Sequence, residues 1–195
     1  MNTEKLGVIK TMRLPDDFAR GEERTGGMGQ NWRKIFHPKN NPEVSITSLY
    51  RGSAAFAPSG KAFRTLLAES PTVVYSTDDS NHMQAKNIIT SLTDALGNAG
   101  DNQLTNSDQG ERGPLFFLQR LETVVLNGKT ALAVYGIFHD SQKTPHNYYI
   151  GIFIDADPKA KDCRIEEIVF EAQTRELYDQ YHSQFEDSIR SIQWL

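Results

Sequence analysis

Two residues of this sequence have the chemistry of a catalytic group: His139, which Asp140 follows directly, and Cys163, the only cysteine. An imidazole beside a carboxylate suits general acid–base catalysis, and a thiolate beside a histidine suits nucleophilic catalysis. However, successive strand residues point to opposite faces of a sheet, and a single cysteine is more often a small packing residue. We therefore predict no catalytic residue, and we keep as an alternative a small hydrolase that uses His139 or Cys163.

The sequence also lacks the loops that hold phosphates, dinucleotides or metal ions. Gly60-Lys61 fails as a phosphate loop because alanine occupies both the required earlier glycine position and the hydroxyl position after the lysine. The glycines of 26–29 do not match a dinucleotide fingerprint, and residues 101–112 lack most calcium ligands of an EF-hand. The five histidines have no metal-binding spacing. We expect no cofactor and no metal site.

Aromatic residues on predicted strands are the better candidates for binding. Trp32 opens one predicted strand, Tyr50 lies near the end of the next, and Tyr148 and Tyr149 begin a later one. Tryptophan and tyrosine are enriched at interface hot spots, although a tyrosine at a strand start is often a packing residue. We predict that Trp32, Tyr50, Tyr148 and Tyr149 contact a protein partner.

Apolar periodicity predicts the elements that position these residues. Predicted strands cover 6–14, 32–37, 43–51, 115–126, 129–139, 147–154 and 164–171, and predicted helices cover 60–69, 81–96 and 174–190. Asn127-Gly128 between two apolar runs predicts a type I′ hairpin, since both turn residues need positive φ. The polar, glycine-rich residues 19–31 are predicted as a loop, and 97–113 as a mobile loop.

Length and charge limit the function. A chain of 195 residues fits one domain, and its run of strands closed by a helix predicts an α+β fold with a mainly antiparallel sheet. The net charge of −4 argues against a nucleic-acid partner, which needs a basic surface. The sequence shows neither a secretory signal nor an apolar run of about 20 residues, so we expect a cytoplasmic protein without a membrane partner.

Several segments resemble a known family. The run Leu14–Phe18 follows the first predicted strand, Asn127–Gly136 leads toward Tyr148–Ile154, and the final helix carries Phe185 before the close Ser191–Trp194. In these patterns the chain resembles the PsbP-like and Mog-like superfamily, which includes DcrB-like proteins and Eag-type secretion chaperones. The resemblance implies an α/β/α sandwich, with helices on both faces of an antiparallel sheet, and a binding or assembly role without a shared catalytic site.

These observations favour a non-catalytic binding domain, adaptor-like or chaperone-like, that recognises a protein partner. The charge is uneven, because residues 155–195 carry ten acidic and five basic side chains. This acidic region allows an alternative function, an immunity or antitoxin protein that uses the acidic C-terminal region as a decoy. A solvated face explains the same charges without any partner.

Overall fold

The computed structural model of the protein describes residues 2–25, 32–52, 60–68, 73–76, 115–139 and 144–195. These residues form eleven strands and two helices. The strands are β1 (Asn2–Leu6), β2 (Ile9–Leu14), β3 (Phe18–Thr25), β4 (Trp32–Pro38), β5 (Val44–Gly52), β6 (Val73–Ser76), β7 (Leu115–Leu126), β8 (Lys129–His139), β9 (Pro145–Asp155), β10 (Ile165–Ala172) and β11 (Gln193–Trp194). The helices are α1 (Gly60–Ala68) and α2 (Arg175–Arg190).

The strands build two antiparallel sheets. The large sheet has eight strands in the order β3-β4-β5-β10-β9-β8-β7-β6, and the small sheet has three in the order β1-β2-β11. Every strand pairing in the described residues is antiparallel, which confirms the predicted sheet type. The β7–β8 turn is the predicted hairpin, with φ of 47° at Asn127 and 84° at Gly128.

One face of the large sheet, here called the α2 face, carries the even-numbered residues of β9 and β10, such as Ile152 and Phe170. The small sheet and α2 both cover it. Thr174 begins α2 by accepting a hydrogen bond from the Leu177 N–H, as an N-cap should. Phe185 of α2 then stacks on Phe170 at 5.1 Å.

The opposite face, here called the α1 face, carries the odd-numbered residues of β9 and β10. Helix α1 packs there through Phe63 and Leu66. The sheet residues in the same buried cluster include Leu121, Leu132, Phe153, Ile165 and Val169. The large sheet is therefore apolar on both faces, as expected of a central sheet covered on each side.

The predicted α+β fold with its α/β/α sandwich is wrong, because antiparallel strands dominate the described residues, which form eleven strands and only two helices. Eight strands about 4.8 Å apart make a sheet roughly 34 Å wide, whereas a helix covers only about 10 Å of that width. Helix α1 has nine residues, and α2 shares its face with a second sheet. The helix predicted over 81–96 and the loop predicted over 97–113 lie outside the described residues.

Three details of the N-terminal region also correct the predictions. The strand predicted over 6–14 is two strands, separated by a turn in which Gly7 has a φ of 54°. Much of the loop predicted over 19–31 is strand β3, an edge strand whose polar side chains hide its periodicity. Strand β11, which lies after α2 and pairs with β2, was not predicted.

Candidate functional site

His139 and Cys163 lie too far apart to act together. His139 ends β8 and pairs with Pro145, the first residue of β9. Cys163 is buried near Asp155, the last residue of β9. The eleven residues of β9 span about 33 Å at about 3.3 Å per step. The two residues of the hydrolase alternative therefore cannot form one catalytic pair.

The surroundings of Cys163 keep its thiol protonated. Burial raises the pKa of Cys163 to about 11, and the nearby Asp155 carboxylate adds to this, while Arg64 opposes it. A thiol with such a pKa is a poor nucleophile at neutral pH, because only the thiolate attacks. Arg64 itself is used structurally, since it donates to Asp155 Oδ2 at 2.7 Å and to the Ala160 carbonyl at 2.8 Å. It fastens α1 to the β9–β10 loop.

The structure places Tyr149 in the core rather than on a binding surface. Only 7% of Tyr149 is exposed, on the α1 face, and its ring meets Phe116 at 5.5 Å. Its hydroxyl donates to the fully buried Glu167 at 2.5 Å. Tyr148 precedes it in β9 and faces the other way, because side chains alternate along a strand.

Tyr50, Tyr148 and Trp32 do not form one surface either. Tyr50 pairs with Glu166 of β10 and Tyr148 pairs with Ala172 of the same strand. Six residue steps, or about 20 Å, separate those two positions. Trp32 begins β4 and pairs with Thr25, but its side chain lies outside the part of the chain that is described. Tyr148 has aromatic and apolar neighbours on a partly exposed face.

Tyr148 belongs to a partly exposed group that we call the aromatic shelf: Phe117, Tyr135, Ile137, Tyr148 and Tyr178. Three strands supply a cross-strand row on the α2 face, in which Phe117 pairs with Ile137 and Ile137 with Tyr148. Directly paired residues point to the same side of a sheet. Phe117 is 46% exposed, and the other members are half-buried.

Helix α2 supplies the wall of the shelf. Tyr178 packs on Tyr148 with ring centroids 5.6 Å apart and on Phe170 at 5.8 Å. His182, one turn later, stacks on Tyr178 at 5.1 Å. These contacts fix the tyrosine rings between the sheet and the helix. Rigid aromatic rings of this kind give a large contact area with little loss of side-chain entropy.

The charges around the shelf cancel in pairs. Arg120 contacts Glu122 at 2.6 Å, and Arg175 contacts Asp179 at 2.9 Å. Burial, with the adjoining Glu122 carboxylate, raises the pKa of Tyr135. That phenol therefore stays protonated and serves as a hydrogen-bond donor. The surface is apolar and aromatic, bordered by neutralised charge.

A β-bulge explains why sequence reasoning missed most of the shelf. Counting back from the Asn127-Gly128 turn places Phe117 opposite Phe138. The register shifts between Leu118 and Arg120, and Phe117 lies opposite Ile137 instead. A bulge turns the following side chains to the other face, and the run 115–120 carries no glycine or proline to announce it.

Comparison with known proteins adds no relative. No family model matches this chain, and no curated protein matches it. The resemblance to PsbP-like and Mog-like proteins therefore stays a prediction. Within the described residues, no three His, Cys, Asp or Glu side chains are arranged to hold a metal ion. Neither described helix combines the length and apolar character needed to cross a bilayer.

Proposed function

We propose that the protein is a cytoplasmic, non-catalytic binding domain that recognises a segment of a protein partner on the aromatic shelf, in the manner of an adaptor or chaperone. The observation that carries this proposal is the cross-strand row of Phe117, Ile137 and Tyr148, continued by Tyr178 on α2. Isolated exposed apolar residues are common on proteins, but a contiguous aromatic group often marks an interaction site.

The chemistry of the shelf favours an apolar, uncharged partner segment. Glu122 and Asp179 beside the shelf already pair with arginines, so a charged segment would have to displace an existing ion pair. Aromatic-lined grooves commonly take proline-rich segments, because a preformed polyproline helix loses little entropy on docking. The tyrosine hydroxyls can then bond to the backbone of the partner.

The alternatives receive less support. Because His139 and Cys163 lie far apart, a hydrolase would need a different catalytic partner for whichever of the two it used. The raised pKa of Cys163 also makes its thiol a poor nucleophile. An antitoxin that uses acidic residues as a decoy needs free carboxylates. On α2, however, Asp179 and Glu186 are both held by arginines of the same helix.

Affinity capture with two matched variants tests the proposal. Phe117 and Val125 lie on the same strand, are 46% and 54% exposed, and face opposite sides of the sheet. A stoichiometric partner captured from the native host should bind Phe117→Ala at least about tenfold more weakly, because hot-spot truncations cost about 2 kcal/mol or more and tenfold is about 1.4 kcal/mol. Val125→Ala should bind it like the unchanged protein. Equal binding by both variants would refute the shelf as the contact surface.

A further inference from the structure

A second surface, at the end of α2, carries two arginine side chains on a protein whose net charge is negative. A groove of about 600 Å³ lies between β2, β11 and the end of α2. Its lining is polar: Thr11, Arg13, Asn127, Arg190, Ser191 and Gln193, with Ile192. We propose that this groove, which we call the arginine groove, binds a small phosphate monoester.

Two arginines and no carboxylate line the arginine groove. In the described part of the chain no ion pair involves Arg13. Arg190 contacts Glu186 at 2.8 Å and Asp187 at 3.6 Å, yet a guanidinium has five N–H donors and keeps some for a ligand. The chain has a net charge of −4, so a groove lined by two arginines and no carboxylate differs from the average composition of the chain.

A neighbouring groove shows where the anion should not lie. It has a volume of about 700 Å³ and shares Arg13 and Arg190, but its lining also includes Asp16, Asp17 and Asp187. Three carboxylates repel an oxyanion and compete with it for the arginines. The ligand is therefore expected on the β11 side of the two arginines, where the remaining polar lining is neutral.

Hydrogen bonds hold the frame of the arginine groove in place. Ser191 Oγ accepts the Arg13 N–H at 2.8 Å and donates to the Ser188 carbonyl at 2.6 Å. Asn127 Nδ2 donates to the Ile192 carbonyl at 3.0 Å. The end of α2, β2 and the β7–β8 turn are thus fixed relative to one another. A preformed site loses less entropy on binding than one that must be ordered.

The donor set determines the ligand class. Arginine presents parallel N–H groups that match the oxygens of phosphate, and two arginines suit a dianion. Thr11 and Gln193 add neutral hydrogen-bonding groups at the same groove. Its volume exceeds that of a bare ion, which leaves room for a polar body such as a sugar or glycerol attached to the phosphate.

Calorimetric titration with glycerol phosphate, at constant ionic strength, tests this proposal. Arg13→Gln and Arg190→Gln should each weaken binding about tenfold, because each removes charge-assisted hydrogen bonds. Arg175→Gln is the matched control, since Arg175 is also an exposed α2 arginine paired four residues along the helix. It should bind like the unchanged protein.

Amide NMR signals of the unchanged protein give a second readout that needs no variant. Glycerol phosphate should shift the side-chain amides of Asn127 and Gln193, and sodium chloride at equal ionic strength should not. The absence of saturable binding, or an equal loss in Arg175→Gln, would overturn the proposal. Weakened partner capture by Phe117→Ala is an independent result and bears only on the shelf.

Discussion

At the scale of single residues, Glu166 is a carboxylate buried to 6% exposure at the junction of the two sheets. Its two oxygens accept the Val8 N–H at 2.9 and 3.2 Å, which fixes the β1–β2 turn. Burial raises the pKa of Glu166, against the opposing effects of the Val8 N–H and of Lys129. The folded protein therefore binds more protons than the unfolded chain between the unfolded and folded pKa values.

This difference in bound protons makes the free energy of unfolding depend on pH. The contribution of Glu166 to stability should fall as pH rises through its raised folded-state pKa. Glu166→Gln should thus gain stability relative to the unchanged protein, by on the order of 1 kcal/mol, between mildly acidic and neutral pH. Urea unfolding across this range measures the effect. Glu43→Gln, at an exposed position, is the control, and parallel curves for all three proteins would contradict the argument.

Gly7 shows the same junction from the other side. A Cβ built at this glycine would meet the Glu166 carboxyl group, and its φ is positive as well. Position 7 therefore requires glycine for two reasons: a Cβ would clash with Glu166, and the backbone has a positive φ. Neither reason is visible in the run 6–14 of the sequence, which is why the prediction joined two strands into one.

At the scale of elements, the β7–β8 hairpin contains a position, Gly128, where a side chain would be opposed by backbone conformation and not by a steric clash. Gly128 has a φ of 84°, and no atom lies within 4 Å of a Cβ built there. Gly128→Ala should lower the free energy of unfolding by about 1 kcal/mol, through the left-handed backbone alone. Gly128→Asn should lose less, since asparagine tolerates this region better. Equal losses in thermal or urea unfolding would point to a different cause.

The small sheet depends on its last strand. Trp194 of β11 donates from Nε1 to the Leu126 carbonyl at 2.8 Å, and Lys129 lies 4.6 Å from its ring. Deleting residues 193–195 should release β2, because β11 covers one of its edges. Hydrogen exchange should then accelerate at Thr11 and Ile9 while the amides of β9 keep their protection. Uniform acceleration would mean that the two sheets unfold together, and Leu195→Ala serves as the control.

At the scale of the whole molecule, sequence reasoning succeeded where apolar periodicity and turn chemistry agreed. Strands β5, β8 and β9, both helices α1 and α2, and the Asn127-Gly128 turn follow from such patterns. Strand β3 was missed because one edge faces solvent and its side chains are polar. The sandwich was wrong because local sequence patterns do not determine how many strands join one sheet, and this sheet has eight.

The candidate sites were less predictable than the elements. Tyr148 was chosen because it is aromatic and begins a predicted strand, but the same reasoning also chose Tyr149, which the alternation of β9 turns into the core. The arginine groove joins Arg13 to Arg190, which are far apart in sequence. Such proximity depends on the pairing of β11 with β2, and no local pattern predicted that pairing.

The closure of the small sheet by β11 also sets an order of events in synthesis. Strand β2 leaves the ribosome well before Ser191, which accepts a hydrogen bond from Arg13 and lies 178 residues beyond it. Until α2 and β11 are made, Ile9, Met12 and Leu14 lack the cover they have in the native state. Contacts this distant form slowly, since a long chain must close first. The apolar side of the β1–β2 hairpin therefore stays exposed while the residues between it and α2 are synthesised.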